Sequence, residues 1–187
     1  MAATTGDLYE RELKYVLSGD KKTITQMIKT CSEDESRSYS MMLNDPFLVV
    51  RAAGSFGVDL VALRWDFSFP IEVKSSAEDI MHFSRNPRLT EQAAKMKKTC
   101  CKSNLLPIYA FRLKGVRGDP WRIFTIPNDE EIKGKNEALR KIVPKMEVTN
   151  NGNYIMRWGN GMKLCDLLSY MSGDIMSKVE SEEIFEE

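Results

Sequence analysis

The sequence predicts an α/β fold in which a mixed central β-sheet is flanked by helices. Three short apolar runs at residues 47–50, 58–63 and 69–74 have strand propensity, and their tight connections predict an antiparallel meander. Residues 89–102 carry apolar side chains at helical spacing, the pattern of an amphipathic helix. Two more strands are predicted at 106–113 and 121–126. Because a helix separates the meander from the next strand, we expect a mixed sheet with that helix packed on its face.

Further elements are predicted on either side of these strands. Residues 6–18 begin with an N-cap signal and continue with apolar side chains at helical spacing, so they predict a first helix. Residues 20–45 are polar and are expected to be irregular, with one short helix near 24–28, and we interpret them as an insertion that could be mobile. The remaining predicted elements are a helical stretch within 128–150, a strand at 154–158 and a last helix at 164–171.

Length and charge predict one domain followed by an acidic tail. A chain of 187 residues is long enough for a single core, which we assign to residues 1–173. Residues 174–187 hold six acidic side chains and one basic side chain, so the domain keeps an excess of five basic residues although the whole chain has no net charge. A mildly basic domain is compatible with a nucleic-acid partner, and the tail is expected to be solvated.

The sequence argues against a membrane protein or a secreted one. No apolar run approaches the roughly 18 residues of a membrane span, and the N-terminus lacks the basic and apolar regions of a secretory signal. We therefore expect a cytoplasmic protein with no membrane partner. The four cysteines lack CxxC spacing and the chain has a single histidine, so neither a disulfide framework nor a histidine-based metal site is expected.

Two of the predicted strands carry acidic side chains suited to binding a divalent cation. Asp59 lies at the start of one strand, and Glu72 and Lys74 share one face of the next, where Ile71 and Val73 turn to the core. If strand pairing brings Asp59 beside Glu72, the two carboxylates repel each other and a bound Mg²⁺ relieves the repulsion. Such an ion polarises a phosphodiester and activates a water, while Lys74 can orient that water or stabilise charge in the transition state.

The acid-x-Lys spacing by itself is a weak signal. Three other copies occur in the chain, at residues 12–14, 20–22 and 131–133. Only the copy with Glu72 lies in an apolar strand that follows a strand bearing an aspartate. The pattern leaves two interpretations open, a nuclease site or an exposed strand face with an incidental ion pair.

Four short runs place these residues in a wider context. They are Tyr9-Glu10-Arg11-Glu12-Leu13, Val49-Val50-Arg51-Ala52-Ala53-Gly54-Ser55, Val58-Asp59-Leu60-Val61-Ala62 and Ile71-Glu72-Val73-Lys74. In this order they resemble the archaeal-type Holliday-junction resolvase family of the PD-(D/E)xK nuclease superfamily. A weaker likeness continues through residues 106–111, 121–124 and 161–168, so the resemblance spans most of the chain. It implies a restriction-endonuclease-like core within the predicted α/β fold.

The resemblance implies a metal centre. Asp59, Glu72 and the backbone carbonyl of Val73 would bind Mg²⁺, with Mn²⁺ as a substitute, and Glu10 would add a carboxylate from the first helix. Lys74 would be the catalytic lysine. From the residues alone, Glu10 could also be an ordinary surface residue of that helix.

Other matched positions would lie near the scissile phosphate. The resemblance implies that Ser55 is a further catalytic residue and that Arg11 and Arg51 bind DNA. From the residues alone, Arg11 could be a solvated helix residue, Arg51 a strand-end salt-bridge partner and Ser55 a turn former. Lys95 and Lys98, on the predicted amphipathic helix, are candidates for contacts to the DNA backbone or for a solvated helix face.

The predicted function is Mg²⁺-dependent, structure-selective cleavage of DNA that resolves four-way junctions in recombination and repair. Because a four-way junction is two-fold symmetric and needs paired incisions, a homodimer is expected. The segment before Arg51 is longer than in the family, so flaps, forks or foreign duplex DNA stay open as substrates. A catalytically silent module that binds DNA is a second alternative. Gln92 stands on the helix that follows the acidic strands, where related nucleases sometimes carry a polar site residue.

Overall fold

The computed structural model describes residues 5–52, 57–128 and 132–173. The helices are α1 (Thr5–Leu17), α2 (Lys21–Met27), α3 (Glu33–Met41), α4 (Pro87–Lys102), α5 (Lys135–Ile142) and α6 (Leu164–Met171). The strands are β1 (Leu48–Arg51), β2 (Leu60–Leu63), β3 (Ser68–Ser76), β4 (Ile80–His82), β5 (Ile108–Leu113), β6 (Trp121–Thr125), β7 (Glu147–Val148), β8 (Tyr154–Arg157) and β9 (Met162–Lys163). Ser55 and the predicted acidic tail at 174–187 lie outside the described residues.

Six strands form the central sheet in the order β1-β2-β3-β5-β6-β9. Strands β1, β2 and β3 pair antiparallel, which confirms the predicted meander. Strand β3 then pairs parallel with β5, starting at Ile71 opposite Ile108, because α4 carries the chain back between these two strands. Strand β6 returns antiparallel to β5. The sheet is therefore mixed and flanked by helices, as the sequence predicted.

The two faces of the sheet are buried in separate apolar clusters. Ile71 and Val73 of β3 pack on the face covered by α1, α3 and α6. Tyr109 and Phe111 of β5 pack on the opposite face, where α4 inserts Met96. Residues alternate along a strand, so the even-numbered positions of β3 point to the α4 face. This alternation turns Glu72 and Lys74 toward α4.

Residues 20–45 are more helical than predicted, because the short helix expected near 24–28 is present as α2 and a second helix, α3, was not expected. They form α2 and α3, with Asp20 accepting a hydrogen bond from the amide of Thr23 and with Ser32 and Glu35 forming a capping box. Each helix buries a side chain, and the Tyr39 hydroxyl donates to the buried carboxylate of Asp119 at 2.8 Å. The polar composition had suggested a loop, but short helices that bury only one face need few apolar residues.

The C-terminal elements follow the prediction. Helix α6 has the bounds that were predicted, and the expected strand at 154–158 is present as β8. This strand joins β4 and β7 in a separate three-stranded sheet, order β4-β8-β7. Within the described part of the chain, no helix has both the length and the hydropathy to cross a membrane.

Candidate metal centre

Strand pairing brings Asp59 and Glu72 together, as the sequence analysis expected. Leu60 of β2 lies opposite Ile71 of β3, so the residue before Leu60 faces the residue after Ile71. The Asp59 amide donates to the Ile71 carbonyl at 3.0 Å, and the Asp59 Oδ2 atom accepts from the amide of Val73 at 2.8 Å. The two carboxyls are close enough for each to affect the pKa of the other. The meander thus fixes both acids through backbone contacts.

Glu72 is held by two side chains although it is almost fully buried. Only 1% of the residue is exposed. Its Oε1 atom accepts from Lys74 Nζ at 2.5 Å and from Gln92 Nε2 at 2.7 Å, and Lys74 also donates to Gln92 Oε1 at 3.3 Å. The second oxygen, Oε2, is buried and has no hydrogen-bond donor among the described residues. A buried oxygen without a donor is costly, so this atom is suited to accept a proton or a cation.

The electrostatics of the pair disfavour two adjacent negative charges. Burial raises the pKa of Glu72 from 4.5 to about 7; Lys74 opposes this shift and Asp59 adds to it. Burial likewise raises the pKa of Asp59, against the hydrogen bond from Val73, and the charge of Glu10 raises it further. A divalent cation between the two carboxylates would remove this penalty, because oxygen ligands suit Mg²⁺ and the ion usually retains waters or phosphate oxygens in its shell.

The residues present fit such an ion as a two-carboxylate site. No group of three His, Cys, Asp or Glu side chains within the described residues is arranged to hold a metal ion. Asp59 and Glu72 would therefore be the carboxylate ligands, and water or a phosphate would complete the shell. Val73 contributes its amide to Asp59 in this structure. The expected role of its carbonyl stays a prediction.

Glu10 lies near the pair but bonds to an arginine. Arg51 Nη2 contacts Glu10 Oε2 at 2.7 Å and Asp7 Oδ1 at 2.5 Å. Asp7 also pairs with Arg11 at 2.5 Å, so it connects the two arginines. Glu10 still acts on Asp59 through its charge. The structure thus brings the predicted Glu10, Arg11 and Arg51 into one ionic cluster beside the carboxylates, with Asp7 as a member that sequence reasoning missed.

The predicted lysines lie on α4, whose buried face packs under the pair. Lys95 and Lys98 are exposed, and Lys95 follows Gln92 by one helical turn. Gln92 contacts both Glu72 and Lys74, a closer involvement than the sequence suggested. A signal was present, because Gln92 borders the apolar stripe that contains Ala93 and Met96 and so must approach the sheet.

Tyr109 is a second residue that the sequence analysis did not assign. It lies directly opposite Glu72 in the parallel ladder. Its hydroxyl is buried without a hydrogen-bond partner among the described residues, and burial raises the pKa of Tyr109 well above its usual value. An apolar-looking strand position gave no hint of this proximity. Tyr109 adds a neutral hydroxyl to the surroundings of the carboxylates.

The similarity of this chain to known proteins lies in its fold and not in its sequence. No protein-family model matches the sequence, and no curated protein is significantly similar to it. Among solved structures, the chain is similar to Hjc of Archaeoglobus fulgidus, a Holliday junction resolvase from an archaeal hyperthermophile. The identity is 15% and the TM-score 0.49, over 89% of this chain and 97% of that chain. At this level the similarity assigns no role to any residue.

Proposed function

We propose that this protein is a Mg²⁺-dependent endonuclease that cleaves branched DNA, with four-way junctions as the main substrate. The observation that carries the proposal is the pair of Asp59 and Glu72, held beside Lys74, with one Glu72 oxygen that has no donor in the described part of the chain. A surface ion pair would not require a buried acid beside a half-buried one at a cost in free energy. The same arrangement argues against a catalytically silent module.

Each polar residue of the site has a part in the proposed chemistry. Asp59 and Glu72 would hold the cation, with Glu10 and the Val73 carbonyl as further candidate ligands. When bound, Mg²⁺, or Mn²⁺ in its place, polarises a phosphodiester and lowers the pKa of a bound water. Lys74 Nζ lies 2.5 Å from Glu72 Oε1, where it can orient a water or stabilise charge that develops on the phosphate.

The DNA backbone would be bound by basic side chains on two elements. Arg11 and Arg51 belong to the ionic cluster at the start of α1, and Lys95 and Lys98 are exposed on α4. Contacts of this kind position DNA without reading its sequence and weaken as salt is added. Ser55 is proposed as a further catalytic residue from the sequence alone.

The test is cleavage of a synthetic four-way junction in the presence of Mg²⁺. Wild type is expected to make paired nicks in the junction and to cleave it in preference to linear duplex. Asp59→Asn is expected to bind the junction without nicking it. Flap and fork substrates in the same assay separate the alternative nucleases. Equal nicking by Asp59→Asn would refute the proposed site, and failure to bind Mg²⁺ or Mn²⁺ in calorimetry would favour the silent module.

Gln92→Ala is expected to slow junction cleavage by about 10- to 100-fold, because Gln92 orients both Glu72 and Lys74. The Mg²⁺ concentration for half-maximal rate should rise as well, a change that a loss of stability alone would not produce. The matched control is Glu91→Ala, an exposed neighbour on the same helix, which should leave both quantities unchanged. A Gln92→Ala enzyme with the wild-type Mg²⁺ dependence would contradict this role.

We further propose a homodimer that buries the exposed face of β1 and β2. Leu48 and Val50 of the edge strand β1 are 67% and 48% exposed, and Leu63 lies directly opposite Leu48 on the same face. Exposed apolar side chains on an edge strand are typical of an interaction surface. A two-fold dimer would present two active sites to the two strands of a junction.

Leu48→Asp is expected to convert the dimer to a monomer of 21.4 kDa, because it places a charge in the apolar contact. Size-exclusion chromatography with light scattering measures the mass. Val148→Asp, an equally apolar and exposed position on β7, is the control and should remain dimeric. A wild-type monomer at all concentrations would refute the dimer without affecting the proposed cleavage chemistry.

A further inference from the structure

A cleft lies on the outer side of α1, whose inner side packs on the sheet. Its floor is one stripe of α1, made by Leu8, Arg11 and Tyr15, and its walls are α2 and the loop between β5 and β6, with Gln26 and Val116. The cavity measures about 370 Å³, within the range of sites that bind small organic groups. Helix α2 belongs to the segment at 20–45, so the additional helices build one wall of this cleft.

The two segments that form the walls of the cleft are basic. Residues 21–30 contain three lysines and residues 112–118 contain Arg112, Lys114 and Arg117, and neither stretch contains an acidic residue. Arg112 lines the cavity, whereas Lys22 and Lys29 are exposed four residues before and three residues after Gln26, outside the lining itself. This charge is complementary to a polyanion.

Acidic residues near the cleft are already engaged within the protein. Glu12 lies in the cleft but pairs with Arg112 at 2.7 Å and accepts from the Trp121 indole at 3.0 Å. Asp20 caps α2, and Glu35 pairs with Lys163 at 2.9 Å. These ion pairs use Arg112 and Lys163, and the excess of positive charge on the wall segments comes from other exposed side chains, at Lys21, Lys22, Lys29 and Arg117.

The floor offers apolar surface between the basic walls. Leu8 is 56% exposed and Tyr15 is 46% exposed, and both line the cavity. Proteins that bind single-stranded nucleic acid combine a basic groove with aromatic side chains on which bases stack. A duplex keeps its bases stacked inside, so it could use the basic walls but not the Tyr15 ring.

An ionic chain leads from the cleft toward the carboxylate pair. Asp7 contacts Arg11, which lines the cleft, and Arg51, which also contacts Glu10. The two sides of α1 are separated by about one helix diameter, roughly 10–12 Å. A few nucleotides cover the width of this helix, because successive phosphates of one strand lie about 3.4 Å apart along a duplex axis, and a longer stretch is needed to reach Glu72 on the α4 face of the sheet.

We propose that the cleft between α1, α2 and the β5–β6 loop binds an unpaired DNA strand, with a base stacked on Tyr15 and phosphates bound by the basic walls. The proposal rests on the proposed nuclease function for its link to cleavage. It names the preferred substrate as branched DNA in which one strand is unpaired near the branch point. Strand binding itself needs neither the metal nor the carboxylates.

The test is binding of a fluorescein-labelled oligothymidylate to the full chain in EDTA, followed by fluorescence anisotropy. Tyr15→Ala should weaken binding about tenfold through loss of stacking. Lys22→Glu, which changes no aromatic group, should also weaken binding and reduce its salt dependence. The controls are Trp65→Ala, which removes an exposed aromatic ring elsewhere, and Lys141→Glu, which reverses an exposed charge on α5; both should bind as wild type does.

Two results would overturn the proposal. One is wild-type affinity for the oligonucleotide in both Tyr15→Ala and Lys22→Glu. The other is equal competition by unlabelled duplex of the same length, which would mean that the protein does not select an unpaired strand. Failure of the proposed nuclease function would give a separate result. Asp59→Asn and wild type would then nick a four-way junction equally in the presence of Mg²⁺, whereas the binding of the oligonucleotide in EDTA would not be affected.

Discussion

Glu72→Gln is expected to abolish cleavage of a four-way junction and, in metal-free buffer near pH 8, to make the protein more stable by on the order of 2–3 kcal/mol. The loss of cleavage, about 10²- to 10³-fold or more, follows from removing a carboxylate that would hold the cation, on which polarisation of the phosphodiester depends. The gain in stability follows from burial. Glu72 carries a charge in a place where the fold disfavours it, and glutamine keeps the shape without the charge.

The pH dependence of this gain follows from the pKa of Glu72. Burial raises that pKa from 4.5 to about 7, so the folded protein keeps the proton at pH values where the unfolded chain has lost it. The free energy of unfolding of wild type therefore falls as the pH rises from the pKa of Glu72 in the unfolded chain to its pKa in the folded protein. Glutamine does not titrate, and it resembles the protonated acid. Wild type and Glu72→Gln should therefore have equal free energies of unfolding at pH values below 4.5, the pKa of Glu72 in the unfolded chain. The difference between them should grow as the pH rises and should level off above a pH of about 7, the pKa of Glu72 in the folded protein.

Urea unfolding in EDTA, near pH 4 and near pH 8, measures the effect. Glu91→Gln is the control, because Glu91 is exposed and its replacement should leave the difference between the two pH values as in wild type. Added Mg²⁺ should stabilise wild type more than Glu72→Gln, since the ion binds the folded carboxylate pair. If the free energies of unfolding of wild type and Glu72→Gln differed by the same amount at both pH values, the charge of Glu72 would not be the cause of the difference.

The placement of Asp59 and Glu72 could be predicted from the sequence because it depends on local rules. Two apolar runs joined by a tight turn pair antiparallel, and alternation then decides which side chains share a face. The register observed between Leu60 and Ile71 puts the two acids side by side. Once the strands were identified, this part of the site required no knowledge of distant contacts.

Other features depend on partners far along the chain and could not be predicted in this way. Gln92 reaches Glu72 only because α4 packs on the face to which even-numbered residues of β3 point. Helix α3 was not predicted within the segment at 20–45, because the polar composition outweighed the capping signal at Ser32 that marks its start. Its helices are fixed by Tyr39, whose partner lies eighty residues away.

That partner, Asp119, appears in the sequence as a turn residue between Gly118 and Pro120, but in the structure it is a buried acceptor. Its Oδ1 atom accepts from the Tyr39 hydroxyl and the Trp121 amide, and its Oδ2 atom accepts from the Cys165 amide, each at 2.8 Å. Burial raises the pKa of Asp119 although all three donors oppose the shift. One carboxylate thus joins α3, the start of β6 and the start of α6.

Asp119→Ala is expected to lower the free energy of unfolding by about 3–5 kcal/mol, because three buried donors lose their acceptor at once. Tyr39→Phe removes only one of these bonds and should cost about 1 kcal/mol. The double variant should be barely less stable than Asp119→Ala, since the Tyr39 hydroxyl has already lost its partner. Urea unfolding measures all three, with Asp34→Ala on the exposed face of α3 as a control that changes little. A cost for Asp119→Ala close to that of Tyr39→Phe would mean that α3 and α6 are held by apolar packing alone, and that the wall of the cleft formed by α2 does not depend on this carboxylate.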